Sequence, residues 1–202
     1  MHVKGFDIFP GYLDRDVQGK LVEELRLIAK NSPFFRPVMP KTGRPFSVEM
    51  TSAGPLGWVS DKTGGYRYQN THPVTKTPWP VIPKMLLSIW DDLTGYEKPP
   101  ECCLINLYRG EKTRMGLHRD EDEQDLSAPV VSISLGDTAV FRMGGLRRND
   151  PTSSIKLNSG DIVTFGGDAR LAYHGIDRVI ANSSTLLSKG GRINITLRRV
   201  NY

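Results

Sequence analysis

The sequence predicts a mainly β fold with flanking helices: a double-stranded β-helix, or jelly-roll barrel, preceded by a helical and loop-rich N-terminal lid. Three observations predict it. From Cys102 onward the chain breaks into short apolar runs separated by Gly, Asn, Asp and Ser turns. Both stretches of helical periodicity lie before that point. The last run, Arg192-Ile-Asn-Ile-Thr-Leu-Arg198, alternates polar and apolar residues strictly, which is the period of a strand.

Taken in order, Val17, Leu21, Leu25 and Ile28 stand at helical spacing, predicting an amphipathic helix over 15–30 with Asp14 or Asp16 as its N-cap. Residues 31–80 are rich in Pro, Gly, Thr and aromatic side chains, with one strand-like run at 47–51. Phe46, Trp58, Tyr66 and Tyr68 cluster there, which suits a lid better than a linker. Ile82, Met85, Leu86, Ile89, Trp90 and Leu93 give a second helical stripe, with Pro83 near its start and Gly95 past its end. These two helices are expected to brace one face of a sheet. Strands are expected at 103–108, 130–135, 139–143, 154–157, 161–165, 171–174 and 193–198, punctuated by Gly136-Asp137, Gly144-Gly145, Ser159-Gly160 and Gly166-Gly167-Asp168.

A length of 202 residues suits a single domain, read as helices and lid over 1–100 and a barrel over 101–202. No apolar run is long enough to span a bilayer, and the N-terminus lacks the basic-then-apolar pattern of a signal peptide. A soluble, cytoplasmic monomer with no obligate protein partner and no membrane attachment is expected. Cys102 and Cys103 are adjacent, a poor arrangement for a structural disulfide or a metal site, and read as small buried residues. The formal net charge of +5 permits nucleic acid without requiring it. Basic residues such as Lys30, Arg36, Lys41, Arg44, Lys62 and Arg67 weight the N-terminal third, while carboxylates concentrate over 120–125.

His118, Asp120 and the distant His174 make up the ligand set of a mononuclear non-haem Fe(II) site, two imidazoles and one carboxylate that leave positions open for co-substrate and dioxygen. Residues two apart on an extended segment point the same way, so His118 and Asp120 can share a metal while His174 comes from a strand folded back. On the terminal strand, Arg192, Asn194, Thr196 and Arg198 share one face. The plain alternative is an edge strand with a solvated basic face. At ~3.3 Å per residue the two arginines lie about 20 Å apart, and converging side chains of about 6 Å each leave about 7 Å, room for a short diacid. Arginine grips carboxylates bidentately, so 2-oxoglutarate is the expected co-substrate.

Five blocks carry a resemblance: Asn106-Leu107-Tyr108, GLHRDEDE at 116–123, PVVSISLGDTAVFRMGGLRRNDP at 129–151, GDIVTFGGDARLAYHGI at 160–176 and RINITLR at 192–198. In this order and spacing they resemble the AlkB family of Fe(II)/2-oxoglutarate-dependent dioxygenases. Leu56-Gly-Trp58 and Gly65-Tyr-Arg-Tyr68 resemble that family's nucleotide-recognition lid. The resemblance implies oxidative demethylation of 1-methyladenine and 3-methylcytosine in alkylated DNA, with RNA as a second candidate, releasing formaldehyde, succinate and CO2. It implies that His118, Asp120 and His174 hold the iron, that Arg198 holds the near carboxylate of 2-oxoglutarate and Arg192 the far one, and that Asn106, Leu107, Tyr108, Asn194 and Thr196 complete the co-substrate site. Trp58, Tyr66, Arg67, Tyr68, Asp122 and Arg148 are the implied substrate residues. Trp58 stacks on the base opposite His118, Asp122 accepts from the exocyclic amino group, and Arg148 touches phosphate.

Three departures from the family pattern bear on substrate range: the 109–112 turn lacks a Pro-Gly pair, Phe165 replaces a tryptophan, and Glu121 replaces a basic residue. Two other readings are the same oxygenase chemistry on an RNA-specific or non-nucleic-acid substrate, and a non-catalytic nucleic-acid-binding barrel. The aromatic lid opposes the non-nucleic-acid reading, and the full set of two histidines, Asp120 and two arginines opposes the binding barrel.

Overall fold

Strict alternation over 192–198 produces a strand at the centre of a sheet, with every one of its side chains buried. The computed structural model describes residues 1–110 and 112–202; Glu111, in the turn that departs from the family pattern, lies outside the described residues. In chain order the elements are β1 (His2–Val3), β2 (Phe6–Phe9), α1 (Arg15–Asn31), β3 (Glu49–Ala53), β4 (Gly57–Asp61), β5 (Gly65–Gln69), α2 (Lys84–Thr94), β6 (Cys102–Tyr108) and β7 (Met115–His118). The second half holds β8 (Val130–Gly136), β9 (Thr138–Met143), β10 (Ser153–Leu157), β11 (Ile162–Phe165), β12 (His174–Ile180) and β13 (Arg192–Arg198).

A seven-stranded sheet runs in the order β1-β2-β11-β8-β13-β6-β3, a four-stranded sheet in the order β10-β9-β12-β7, and β4 and β5 form a separate hairpin. All pairings are antiparallel. One face of the large sheet carries Cys103, Ile105 and Leu107, Val131, Ile133 and Leu135, and Ile193, Ile195 and Leu197. Onto it pack Leu21, Leu25 and Ile28 of α1 and Leu86, Ile89 and Trp90 of α2. The opposite face meets the small sheet, where Val130, Val163 and Phe165 pack with Phe141, Met143, Ile176 and Val179. The result is the jelly roll expected from the sequence, helices covering one face and the second sheet closing the other. Period 2 does the sorting: consecutive residues of β6 and β13 go alternately to the helices and to the barrel interior.

Asp14 caps α1, its carboxylate accepting from the Val17 amide at 2.8 Å. α2 starts after Pro83 and ends where Gly95 turns left-handed at φ 56°, a conformation glycine adopts without Cβ strain. No helix among the described residues is long and apolar enough to cross a membrane. Both cysteines are buried and free.

Two expectations are corrected. Residues 1–100 are more than helices and lid, because β2 and β3 are strands of the large sheet and β2 pairs with β11. Four alternating residues between Gly5 and Pro10 gave too short a period to recognise. Residues 171–173 are not a strand: a 3-10 turn over Gly167–Ala169 precedes β12, which begins at His174. Its alternation is hidden because the register shifts between Ile176 and Arg178, so that buried Ile176 and Val179 are three apart.

Candidate active site

His118 closes β7, His174 opens β12, and the two are register partners across that antiparallel pair. Gly175 lets the strands meet there, since a Cβ at this position would lie 2.6 Å from the Met115 carbonyl oxygen. The imidazoles stand 4.6 Å apart between ring centroids. Asp120 lies two residues beyond His118, and one ligand atom from each of the three falls within 4.8 Å of the others. His118 Nδ1 sits 2.9 Å from the Gly116 carbonyl and His174 Nδ1 3.0 Å from the Ala172 carbonyl. A carbonyl can only accept, so both Nδ1 atoms carry the proton and both Nε2 atoms are left as electron-pair donors. Burial, reinforced by His118, pushes His174 down to about 4, which keeps its ring neutral as a metal ligand must be. The donor set fits Fe(II): two neutral nitrogens and one anionic oxygen, converging from one side.

Asp120 is almost fully enclosed and nevertheless ionised. Burial, the largest single influence, would raise its pKa, but Arg198, His174, His118 and Arg170 together more than offset it and hold the carboxyl well below its usual range. Arg198 Nε donates to Oδ2 at 3.0 Å and Nη2 to Oδ1 at 2.9 Å, a bidentate grip. Behind the pair is a second, buried set of charges. Glu123 lies 3.6 Å from Arg198 Nε, accepts from Arg170 Nη2 at 3.0 Å and accepts the hydroxyl proton bond of Tyr68. Arg170 also donates to the backbone carbonyls of Asp120 at 2.7 Å and Ala128 at 2.8 Å, fixing the loop that carries the metal ligand. The two carboxylates and two guanidiniums neutralise one another, which is what allows all four to be buried. Burial is the largest influence raising the Tyr68 phenol far above its ordinary pKa, so it stays a donor.

Arg198, expected at the near carboxylate of the diacid, grips Asp120 and also lines the cavity. Arg192 is different. It is completely buried, donates from Nη2 to Ser134 Oγ at 3.0 Å and lies 5.2 Å from the centroid of the Tyr108 ring. Its Nε and Nη1, and the side-chain oxygen of Asn106, have no partner among the described residues. A buried cation with two unpartnered donors fits a carboxylate, as 2-oxoglutarate would supply. Asn106, Asn194 and Thr196 share this polar wall, with Asn106 Nδ2 3.4 Å and Thr196 Oγ1 3.2 Å from Asn194 Oδ1. Leu107 does not join them: its side chain is on the helix-packed face.

The triad and Arg192 line one open cavity of about 440 Å³. At its rim are Trp58 of β4, Tyr66 of β5, Asp122 and Arg148. The Trp58 indole is stacked with Tyr66, at 5.6 Å and 21°, and donates from Nε1 to Asp122 Oδ2 at 2.8 Å. One carboxylate oxygen thus orients the indole. Partial burial and the neighbouring Glu123 and Asp120 raise Asp122 above its ordinary pKa, with the Trp58 bond opposing. Arg67 faces elsewhere because β5 alternates, whereas Tyr68 shares the face of Tyr66 and lies deeper in the protein. Arg67 pairs with Asp61 at 2.7 Å, away from the cavity, and Tyr68 reaches inward to Glu123. Cys102 lies near Arg198, but burial pushes its thiol up to about 12, removing it as a nucleophile or ligand. Glu123 and Arg170 were not singled out from the sequence. They sit on irregular loop and turn, where no periodicity marks a buried charge.

Residues 5–198 match the family described as the 2OG-Fe(II) oxygenase superfamily. The chain is 53% identical over 197 residues to the alpha-ketoglutarate-dependent dioxygenase AlkB homolog of Caulobacter vibrioides strain NA1000 / CB15N, covering 98% of this chain and 88% of the relative. A shorter match, 39% over 82 residues, is to the nucleic acid dioxygenase ALKBH1 of Homo sapiens, covering 41% of this chain and 21% of that protein. The fold is similar to the solved structure of OsALKBH1, with a TM-score of 0.84, 28% identity and 98% of each chain covered.

Proposed function

The chain belongs to the 2OG-Fe(II) oxygenase superfamily and, within it, to the AlkB family of Fe(II)- and 2-oxoglutarate-dependent dioxygenases, and from that premise we propose that it repairs alkylated nucleic acid by demethylating 1-methyladenine and 3-methylcytosine in DNA. The observation that carries this reading is the rim of the cavity. An aromatic wall, Trp58 on Tyr66, is pinned to a carboxylate, Asp122, in the same cavity as a metal-ligand triad. A base taken out of its stack needs flat apolar walls. A base methylated at N1 of adenine or N3 of cytosine is a cation and needs a carboxylate nearby. The name of the human relative, a nucleic acid dioxygenase, supports the same substrate class.

Within this reading His118, Asp120 and His174 hold Fe(II) by Nε2, a carboxylate oxygen and Nε2. When bound, Fe(II) with 2-oxoglutarate and dioxygen supplies oxidation of the N-methyl carbon, with succinate, CO2 and formaldehyde as products. The protein supplies position. Arg192, with Tyr108, Asn106, Asn194 and Thr196, receives the far carboxylate of the diacid on the buried wall of the cavity. Arg198, backed by Glu123 and Arg170, keeps Asp120 ionised and in place. Trp58 supplies one face for the base, and the Asp122 oxygen not bonded to Trp58 accepts from its exocyclic amino group. Arg148 contacts the backbone. We place the protein in the cytoplasm as a monomer whose partner is the nucleic acid.

The test is turnover on matched DNA and RNA oligonucleotides carrying 1-methyladenine or 3-methylcytosine, with anaerobically loaded Fe(II) enzyme and both formaldehyde and succinate quantified. Formaldehyde in proportion to succinate on the DNA is the expected result. Succinate without formaldehyde on every oligonucleotide refutes the substrate while leaving the oxygenase intact.

A further inference from the structure

Three side chains at the mouth of the cavity are used neither by the triad nor by the diacid wall. The guanidinium of Arg119 lies 5.6 Å from the centroid of the Tyr173 ring, and that of Arg148 lies 5.7 Å from the same centroid. One ring therefore gathers two cations from separate parts of the chain, the loop carrying Asp120 and the turn between β9 and β10. Tyr173 is itself fixed by that turn: its amide donates to the Gly145 carbonyl at 2.9 Å and its carbonyl accepts from Gly144 at 2.7 Å. Like charges gathered about one ring repel, and an anion bound by both relieves the repulsion. Arg119 already has such an anion. Its Nη2 meets Glu121 Oε2 at 2.5 Å, while its Nε is buried with no partner among the described residues. Arg119, Glu121, Arg148 and Tyr173 all line the cavity that Trp58 and Asp122 rim.

We propose that Arg119 and Arg148, both seated on Tyr173, form a clamp for a backbone phosphodiester, and that Glu121 holds Arg119 in its place until the phosphate displaces it. The inference rests on nucleic acid being the substrate. The Arg119–Glu121 pair is partly solvent-accessible, with side-chain exposures of 34% and 49%, and pairs of this kind are weakly held. A phosphodiester offers two oxygens to a planar fork and can take over from the carboxylate with better geometry. Placing an acid at Glu121 makes the arginine beside it conditional on substrate, where a basic residue would add a permanent charge. The base is read by Trp58 and Asp122, and the backbone by the pair on Tyr173, which carries no sequence information.

The test is binding of a single-stranded oligonucleotide carrying one 1-methyladenine to enzyme loaded with Mn(II) and 2-oxoglutarate, measured by fluorescence anisotropy over a salt series. Arg119→Ala is expected to weaken binding about tenfold at low salt, and to flatten the slope of log K against log salt by about 0.7, the value for one phosphate contact on a single strand. Glu121→Gln is expected to tighten binding severalfold at low salt and to converge with wild type at high salt. Tyr173→Phe should behave as wild type, and Tyr173→Leu should flatten the slope as Arg119→Ala does. Arg142→Ala, which removes an exposed arginine paired with Asp177 outside the cavity, is the control and should keep the wild-type slope. A wild-type slope in Arg119→Ala, or binding no tighter in Glu121→Gln, overturns the clamp. Failure of the wild-type enzyme to bind any oligonucleotide instead overturns the nucleic-acid reading on which the clamp depends.

Discussion

Replacing Arg192 with methionine separates what a buried arginine contributes to stability from what it contributes to the co-substrate site. Arg192 is 0% exposed, donates to Ser134, and leaves Nε and Nη1 without a partner among the described residues. Burial draws its pKa down from the ordinary arginine value, the sign of a site that disfavours the cation. Each unsatisfied buried polar atom costs about 1–3 kcal/mol, and apolar replacement of a poorly compensated buried ion is often neutral or stabilising. Without 2-oxoglutarate, Arg192→Met is therefore expected to match or exceed wild-type stability, by up to about 3 kcal/mol. The order reverses with the diacid. Loss of a charged bidentate contact worth about 1.5–3 kcal/mol weakens affinity about ten- to a hundredfold. At a concentration 100 times the wild-type Kd, the wild type gains about 2.7 kcal/mol from the ligand, and a hundredfold weaker mutant gains about 0.4 kcal/mol. Urea unfolding of Mn(II)-loaded protein under argon, with and without 2-oxoglutarate, reads both quantities. A mutant less stable than wild type without the diacid, yet stabilised by it to the wild-type extent, would refute the assignment.

Four further outcomes are expected. His118→Ala and Asp120→Ala should both abolish Fe(II)-dependent turnover, but only Asp120→Ala should lose about 3–5 kcal/mol of stability, because it strands Arg198 beside Glu123 and Arg170; equal urea midpoints for the two variants would contradict the ion network. For the metal-free protein, the depressed pKa of His174 means that the unfolded chain binds more protons between pH 6.5 and about 4. The associated stability, roughly 3 kcal/mol, is fully present above pH 6.5 and lost as pH falls towards 4. Unfolding free energies at pH 7 and 4.5 should differ in wild type and much less in His174→Gln. Trp58→Ala should weaken turnover of methylated oligonucleotide by the roughly 1–3 kcal/mol of a stacking platform. Asp122→Ala should act more severely on 1-methyladenine and 3-methylcytosine than on neutral methylated bases, and equal losses on both would remove Asp122 as the charge partner.

What the sequence determined by itself is whatever rests on period and spacing. Alternation over 192–198 and 103–108 assigned a face to Arg192, Asn194, Thr196 and Arg198, and to Asn106 and Tyr108, because a strand offers a side chain only two directions. The same rule excludes Leu107 from the site and turns Arg67 away from the cavity. His118 and Asp120, two apart, were readable as a pair, and the helices were marked by their apolar stripes and by Asp14 and Gly95. Only the tertiary structure decided which charges meet. Arithmetic along one strand made Arg192 and Arg198 equivalent; the fold gives Asp120 to Arg198 and leaves Arg192 with no carboxylate partner among the described residues, since the partner of a buried charge comes from another part of the chain. Glu123 and Arg170, 47 residues apart, lie on loop and turn where no period operates, and become a buried pair only when the barrel closes around them. The same holds for Arg119 and Arg148 on Tyr173. Local sequence fixes which way a side chain points, and long-range packing, through the cost of burying an unpaired charge, fixes what it finds there.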